Sequence, residues 1–219
     1  MLRRKKKAAT CSEFANACGI GYISRQKYMR IKLELEPAEE SNWMMREGQK
    51  REDHVCELYY RLMHAFHHPV QLEVHDFVDY YKDSRLGGSP DRIVRDDTGA
   101  RWLLECKTAY ADSMRDCVPP AHSLQMLGLC VFYNLPFAHY ICSNYNRGIF
   151  IAEVRWTPGF WEKHVYPRLR QFADHWTTKT IPSRMTRAEK DELLELIQEH
   201  TLVTEVPAIS RVMRARGSQ

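Results

Sequence analysis

The chain has 219 residues, of which 44% are hydrophobic and 11% aromatic, with a formal net charge of +4. Those values are ordinary for a soluble globular protein, and that length buries a real core without metal or disulfide staples. No run of eighteen apolar residues occurs, so no transmembrane helix is predicted, and the basic start MLRRKKKAAT lacks the apolar stretch of a secretory signal. Seven cysteines at irregular spacing, with no C-x-x-C pair, argue against structural zinc and against an iron–sulfur signature. They read as reduced core thiols of an intracellular protein.

The mild charge is unevenly placed. Arg3 to Lys7 form one basic run and Arg211 to Arg216 another. Such ends are either solvated and disordered, or they assist nucleic-acid binding or serve as a nuclear address. The expected organisation is a disordered basic segment over 1–10, one domain over 11–203 and a flexible basic tail over 204–219.

A first helical region is expected over about 11–30. Residues 42–66 carry Val55, Tyr59, Leu62 and Phe66 at helical spacing, and Glu52, three residues before Val55, shares that face. VQLEVHDFVDYY (70–81) is β-rich. Gly87-Gly88-Ser89-Pro90 reads as a tight turn leading into two strands, about 89–95 and 101–107, joined by the polar loop DDTGA. A helix is expected over 121–134, then strands over 137–144 and 148–156. Pro158 opens a helix reaching about Trp176, with a kink expected at Pro167. Thr186 and Glu189 form a capping box for a last helix whose apolar face is Leu193, Leu194 and Ile197. The order predicts a mixed α/β domain with one central sheet of about five strands flanked by helices.

The hairpin carries the chemistry. With a loop at 96–100, Arg95 faces Arg101, Ile93 faces Leu103 and Asp91 faces Glu105. Like charges directly opposite each other destabilise a sheet. Period two puts Glu105 and Lys107 on the face of Leu103, and Trp102, Leu104 and Cys106 on a fully apolar face that helices should cover. A hard divalent cation is the best reason for such a carboxylate pair. Mg²⁺ prefers oxygen ligands and is held by one or two carboxylates plus substrate phosphates, and the Cys106 carbonyl adds a further oxygen. Lys107 beside it can stabilise a hydroxide and the charge developing on phosphorus. These are the parts for phosphodiester hydrolysis. The plain alternative is an exposed hairpin with a surface Glu105–Lys107 pair.

Ser89-Pro90-Asp91, thirteen intervening residues and Glu105-Cys106-Lys107 resemble the PD-(D/E)xK nuclease signature. The chain resembles more closely the lambda-type exonucleases, also called YqaJ-like viral recombinases or alkaline exonucleases. Gly48 to Glu52 matches that family's G-x-x-x-E helix, Gln125 matches the glutamine of its later helix, and the similarity covers about residues 42–182. The resemblance implies a restriction-endonuclease-like core. It implies that Asp91, Glu105 and Glu52 hold two Mg²⁺ ions, with the Cys106 carbonyl assisting and Mn²⁺ able to substitute. Lys107 would position the attacking water, Gln125 would orient the water or a phosphate, and Ser89 would lie near a substrate phosphate. It further implies 5′-to-3′ digestion of duplex DNA from its ends in phage or viral recombination, a ring-shaped homotrimer, a single-strand annealing partner and no membrane. The compartment would be a bacterial host's cytoplasm, or a nucleus for a eukaryotic virus. Two departures stand out. The family's N-terminal arginine and serine for the 5′-phosphate are met only by Ser24 and Arg25, at different spacing, and His122 stands where a tyrosine is frequent. Arg115, in the loop after Lys107, is a further candidate DNA contact. The competing readings are a structure-selective endonuclease on DNA or RNA and a catalytically silent DNA-binding recombination module.

Overall fold

The computed structural model of the protein describes residues 6–38, 43–109, 117–144 and 148–206. In chain order the elements are β1 (Ala9–Thr10), a 3₁₀ turn (Cys11–Glu13), α1 (Phe14–Ala17), α2 (Arg25–Lys32) and α3 (Trp43–Ala65). Then come β2 (Val70–Glu73), β3 (Val78–Tyr80), β4 (Asp83–Gly88), β5 (Arg92–Asp96), β6 (Arg101–Ala109) and α4 (Pro120–Tyr133). β7 (Ala138–Asn144), β8 (Gly148–Trp156), a π-helical turn (Trp161–Val165), α5 (Tyr166–Thr178), α6 (Arg187–His200) and β9 (Thr201–Glu205) complete it.

The strands form a six-stranded sheet in the order β2-β5-β6-β7-β8-β9 and a three-stranded sheet in the order β1-β4-β3. In the larger sheet, among the described residues, only β6 and β7 run parallel, which requires a crossover, and α4 supplies it. The expected mixed α/β architecture holds, with six strands in the main sheet rather than about five. β9 was expected to be loose tail from Thr204. Its backbone pairs with β8, Leu202 opposite Arg155 and Val203 opposite Val154, so an edge position rather than an apolar pattern makes it a strand.

Both faces of the main sheet are covered. On one, Val55, Tyr59 and Met63 of α3 pack on Val94, Trp102, Leu104 and Cys106. On the other, Leu124, Leu127 and Leu129 of α4 join Ile93, Leu103, Tyr140 and the N-terminal Phe14. The apolar face expected for Trp102, Leu104 and Cys106 is therefore the face under α3. The helix α4 is apolar nearly all round because sheet and N-terminal segment enclose it. Proline at its first turn and Asn134 in the left-handed conformation (φ 53°) set its ends.

Local chemistry explains several boundaries. The helix expected over about 11–30 divides, because Gly19 adopts φ 84° and Ser24 caps a new helix by accepting from the Lys27 N–H at 3.1 Å. Gly87 and Gly88 end β4 and are not a tight turn. A Cβ on Gly87 would come within 2.5 Å of Phe77, and one on Gly88 within 2.6 Å of the Cys11 sulfur, so close packing demands both glycines. Pro167 lies in the first turn of α5, where the missing N–H costs no helical bond, and the π-helical turn precedes it. The capping box at α6 forms as expected: Thr186 Oγ1 accepts from the Glu189 N–H at 3.2 Å, and the Thr186 N–H donates back to Glu189 at 2.6 Å.

Candidate active site

The hairpin register is the one expected from the loop length: Arg95 opposite Arg101 and Ile93 opposite Leu103. The Asp96 carboxylate accepts from the N–H groups of Thr98 and Ala100, and Gly99 takes φ 85°, which closes the loop at five residues. Asp91 falls one residue before β5, directly across from Glu105. Its Oδ2 accepts from the Cys106 N–H at 2.7 Å.

Glu105 is the centre of the arrangement, with no exposed surface. Lys107 Nζ donates to its Oε1, and Gln125 Nε2, arriving from α4, donates to the same oxygen at 2.6 Å. Oε2 is buried and has no hydrogen-bond partner among the described residues. Burial and then Asp91 push the Glu105 carboxyl up to about 7, against the pull of Lys107. Burial also raises Asp91, although Lys107, the Cys106 N–H and Arg92 oppose it. Burial works against the charge on Lys107, but Glu105 and Asp91 outweigh it and hold the ammonium up at about 12. The thiols of Cys11 and Cys130 also lie in the field of Glu105, and both are raised, chiefly by burial.

Glu52 arrives from α3. It is half exposed and raised by burial and by Asp91, and its carboxylate lies 3.9 Å from Arg92, which also pairs with Asp53. Arg92 was not singled out in the sequence. Its place on the face of Val94, beside the Glu52 helix, is the signal that points to it. Cys106 turns its sulfur to the α3 side, 3.4 Å from that of Cys56. Among the described residues, no group of three or more His, Cys, Asp or Glu side chains is disposed to hold a metal ion.

The remaining candidates are placed as follows. Ser89 is exposed between β4 and Asp91. His122 stands one turn before Gln125 on α4, with Nδ1 3.0 Å from the Tyr140 hydroxyl. The Ser24 hydroxyl caps α2. Arg25 donates to Gln171 of α5 at 3.1 Å and lies over the Phe172 ring. Ser24 is thus engaged within α2 and Arg25 with α5. Arg115 lies outside the described residues, as do Arg3 to Lys5 and residues 207–219. The cysteines are all unpaired thiols, buried except for Cys117. Among the described residues, no helix is long and apolar enough to cross a membrane. A surface cavity of about 600 Å³ is lined by Lys7, Lys32 and Trp176, among others, and includes none of the candidate residues.

An alkaline exonuclease from Laribacter hongkongensis superposes with a TM-score of 0.63 at 17% identity, covering 78% of this chain and 88% of that one. The same enzyme in complex with dAMP gives 0.59 at 16% identity, covering 87% and 92%. A phage-related exonuclease from Haemophilus somnus 129PT gives 0.61 at 10% identity, covering 81% and 96%. At those identities the likeness establishes the fold. A search of curated proteins found no match. The family profile described as the YqaJ-like viral recombinase domain matches residues 1–128, more than half of the chain and including Glu52, Asp91, Glu105, Lys107 and Gln125. The chain belongs to the YqaJ-like viral recombinase domain family.

Proposed function

We propose that the protein is a divalent-metal-dependent phage-type exonuclease that digests duplex DNA from its ends, in the 5′-to-3′ direction, during recombination. The single observation that carries this reading is the Glu105 carboxylate: fully buried, tethered at Oε1 by Lys107 and Gln125, and with Oε2 unpartnered among the described residues. An orphaned carboxylate oxygen, facing a second carboxylate with a raised pKa, fits a hard cation such as Mg²⁺ or Mn²⁺. Asp91 and Glu105 would hold it, with the Cys106 carbonyl assisting and Glu52 direct or through water. Two ions per site follow from the family resemblance. When bound, the metal supplies Lewis acidity that draws charge from the scissile phosphate.

The chain's own residues do the rest. Lys107 stays an ammonium through the neutral range, so it acts as a charged donor and not as a base. It orients the attacking water and meets the negative charge developing on the phosphoryl oxygens. Gln125 shares Oε1 with Lys107, which fixes the Glu105 carboxylate plane, so that Oε2 would be available to hold a cation. The Cys106 N–H holds Asp91 in register with Glu105. Water then adds across a P–O bond of the strand. Ser89, Arg115 and His122 are proposed phosphate contacts. The homotrimer, the annealing partner and the intracellular site of action rest on the resemblance alone.

The test uses a linear duplex labelled at each end in turn, with and without a 5′-phosphate, beside the same DNA as a closed circle, in Mg²⁺. Loss of the linear form only, from the 5′ end, supports the proposal. Cutting of the circle reassigns the site to an endonuclease, and no cutting with Mg²⁺ or Mn²⁺ sinks the DNA nuclease reading.

A further inference from the structure

Arg92 opens β5 one residue after Asp91, and its side chain lies on the α3 side of the sheet with that of Val94. Its guanidinium acts as a fork. Nη1 donates to the Asp91 carbonyl and lies 3.9 Å from Glu52 Oε1, and Nη2 donates to Asp53 Oδ1. One side chain therefore joins the backbone of a carboxylate residue at β5 to two adjacent carboxylates on α3. Asp91 is held twice, its carboxylate by the Cys106 N–H and its carbonyl by Arg92.

The join falls at a particular point of α3. Among the described residues of that helix, burial begins at Val55, so among them the apolar core grips the helix only beyond Glu52. Yet Glu52 belongs to the carboxylate cluster: it lies in the field of Asp91 and Lys107, and Glu105 lies in its field. The Arg92 side chain is 18% exposed and that of Asp53 87%. An ion pair so open to water on one side adds little stability. Its effect is directional, because a planar guanidinium fixes angle as well as distance, which a lysine ammonium does not.

We propose that Arg92 is a positioning residue, which holds the Glu52 turn of α3 against Asp91 so that the Glu52 carboxylate joins Asp91 and Glu105 in binding the cation. Arg92 itself touches neither the cation nor the reacting atoms. The inference rests on the metal-dependent reading of the site, and metal binding tests it without turnover.

Charge and position predict opposite signs. Arg92 is a cation beside the carboxylates, so by Coulomb's law alone its removal should tighten the binding of another cation. If it positions Glu52, its removal weakens that binding.

The experiment follows the melting temperature across a Mn²⁺ series, without DNA and at fixed pH, and reads an apparent Kd from the rise above the value in EDTA. Arg92→Gln and Arg92→Lys should each weaken Mn²⁺ binding about tenfold, the scale set by losing a partner that orients a metal ligand. A cooperative transition in EDTA shows that each variant is folded. In a Glu52→Ala background the same substitutions should change Kd by less than about twofold, because no carboxylate is left to position. Binding by either variant that is as tight as in the unaltered protein, or tighter, overturns the inference. So does an equal loss with and without Glu52, which marks a general effect on the fold. Hydrolysis in Mg²⁺ is read in parallel. Mn²⁺ binding that follows the expected cycle without any hydrolysis keeps this inference and loses the nuclease reading. Hydrolysis by a protein whose Arg92 variants bind Mn²⁺ normally loses only this inference, and no response of the unaltered protein to Mn²⁺, with no hydrolysis, loses both.

Discussion

Glu105→Gln separates the chemistry of this site from its cost to the fold. The carboxyl is raised from its ordinary 4.5 to about 7, by burial first and Asp91 second. A carboxyl with a higher pKa in the folded chain than in the unfolded one binds more protons when folded. Its contribution therefore favours folding below about pH 4.5 and is lost as pH rises through 7. At about 1.4 kcal/mol for each tenfold change in proton affinity, the ionised site costs the metal-free protein about 3 kcal/mol at pH 9. Asp91 titrates with it, so that cost belongs to the pair. Glutamine keeps an oxygen for Lys107 and Gln125 but carries no charge. Thermal unfolding in EDTA should then show the variant more stable than the unaltered protein by about 3 kcal/mol at pH 9, or about 6–12 °C for a chain of this size, with the gap closing towards pH 5. Mg²⁺ should raise the melting temperature of the unaltered protein and not that of the variant, and hydrolysis should be lost. Unfolding curves that run parallel from pH 5 to 9 would refute the reasoning, because ionisation of Glu105 would then cost nothing.

Lys107→Ala should lower kcat by about 10²–10³-fold while Kd for DNA in Ca²⁺ changes little, and a near-normal rate would remove Lys107 from the site. Gly88→Ala forces a methyl to within 2.6 Å of the Cys11 sulfur and 3.0 Å of Leu129, so urea denaturation should report a loss of about 1–3 kcal/mol. Thr186→Ala removes the α6 cap and should cost about 1 kcal/mol in the same assay, with hydrolysis unaffected.

What the sequence makes legible follows the range of the interactions involved. The loop DDTGA determines its own turn, so the register that sets Asp91 against Glu105 is legible in the sequence. Side-chain alternation along 102–107 separated the Glu105 face from the apolar one. The helix 42–66 and the capping box at Thr186 likewise depend on residues within one or two turns of each other. β4 and β9 were missed because glycine and polar residues give a strand no periodic pattern, and a neighbouring edge supplies their hydrogen bonds.

The amino-acid sequence by itself therefore determined the fold class, the family and the chemical identity of the carboxylate–lysine cluster. Only tertiary structure decided how that cluster is disposed. The α4 crossover aims Gln125 at Glu105 and seals that carboxylate from water, and α3 gives Glu52 to Arg92. Ser24 and Arg25, named as phosphate candidates, are turned to α2 capping and to α5. Each of those outcomes joins residues at least 19 positions apart in sequence, Ser24 excepted, and is set by how helices pack on the sheet, which no local pattern encodes.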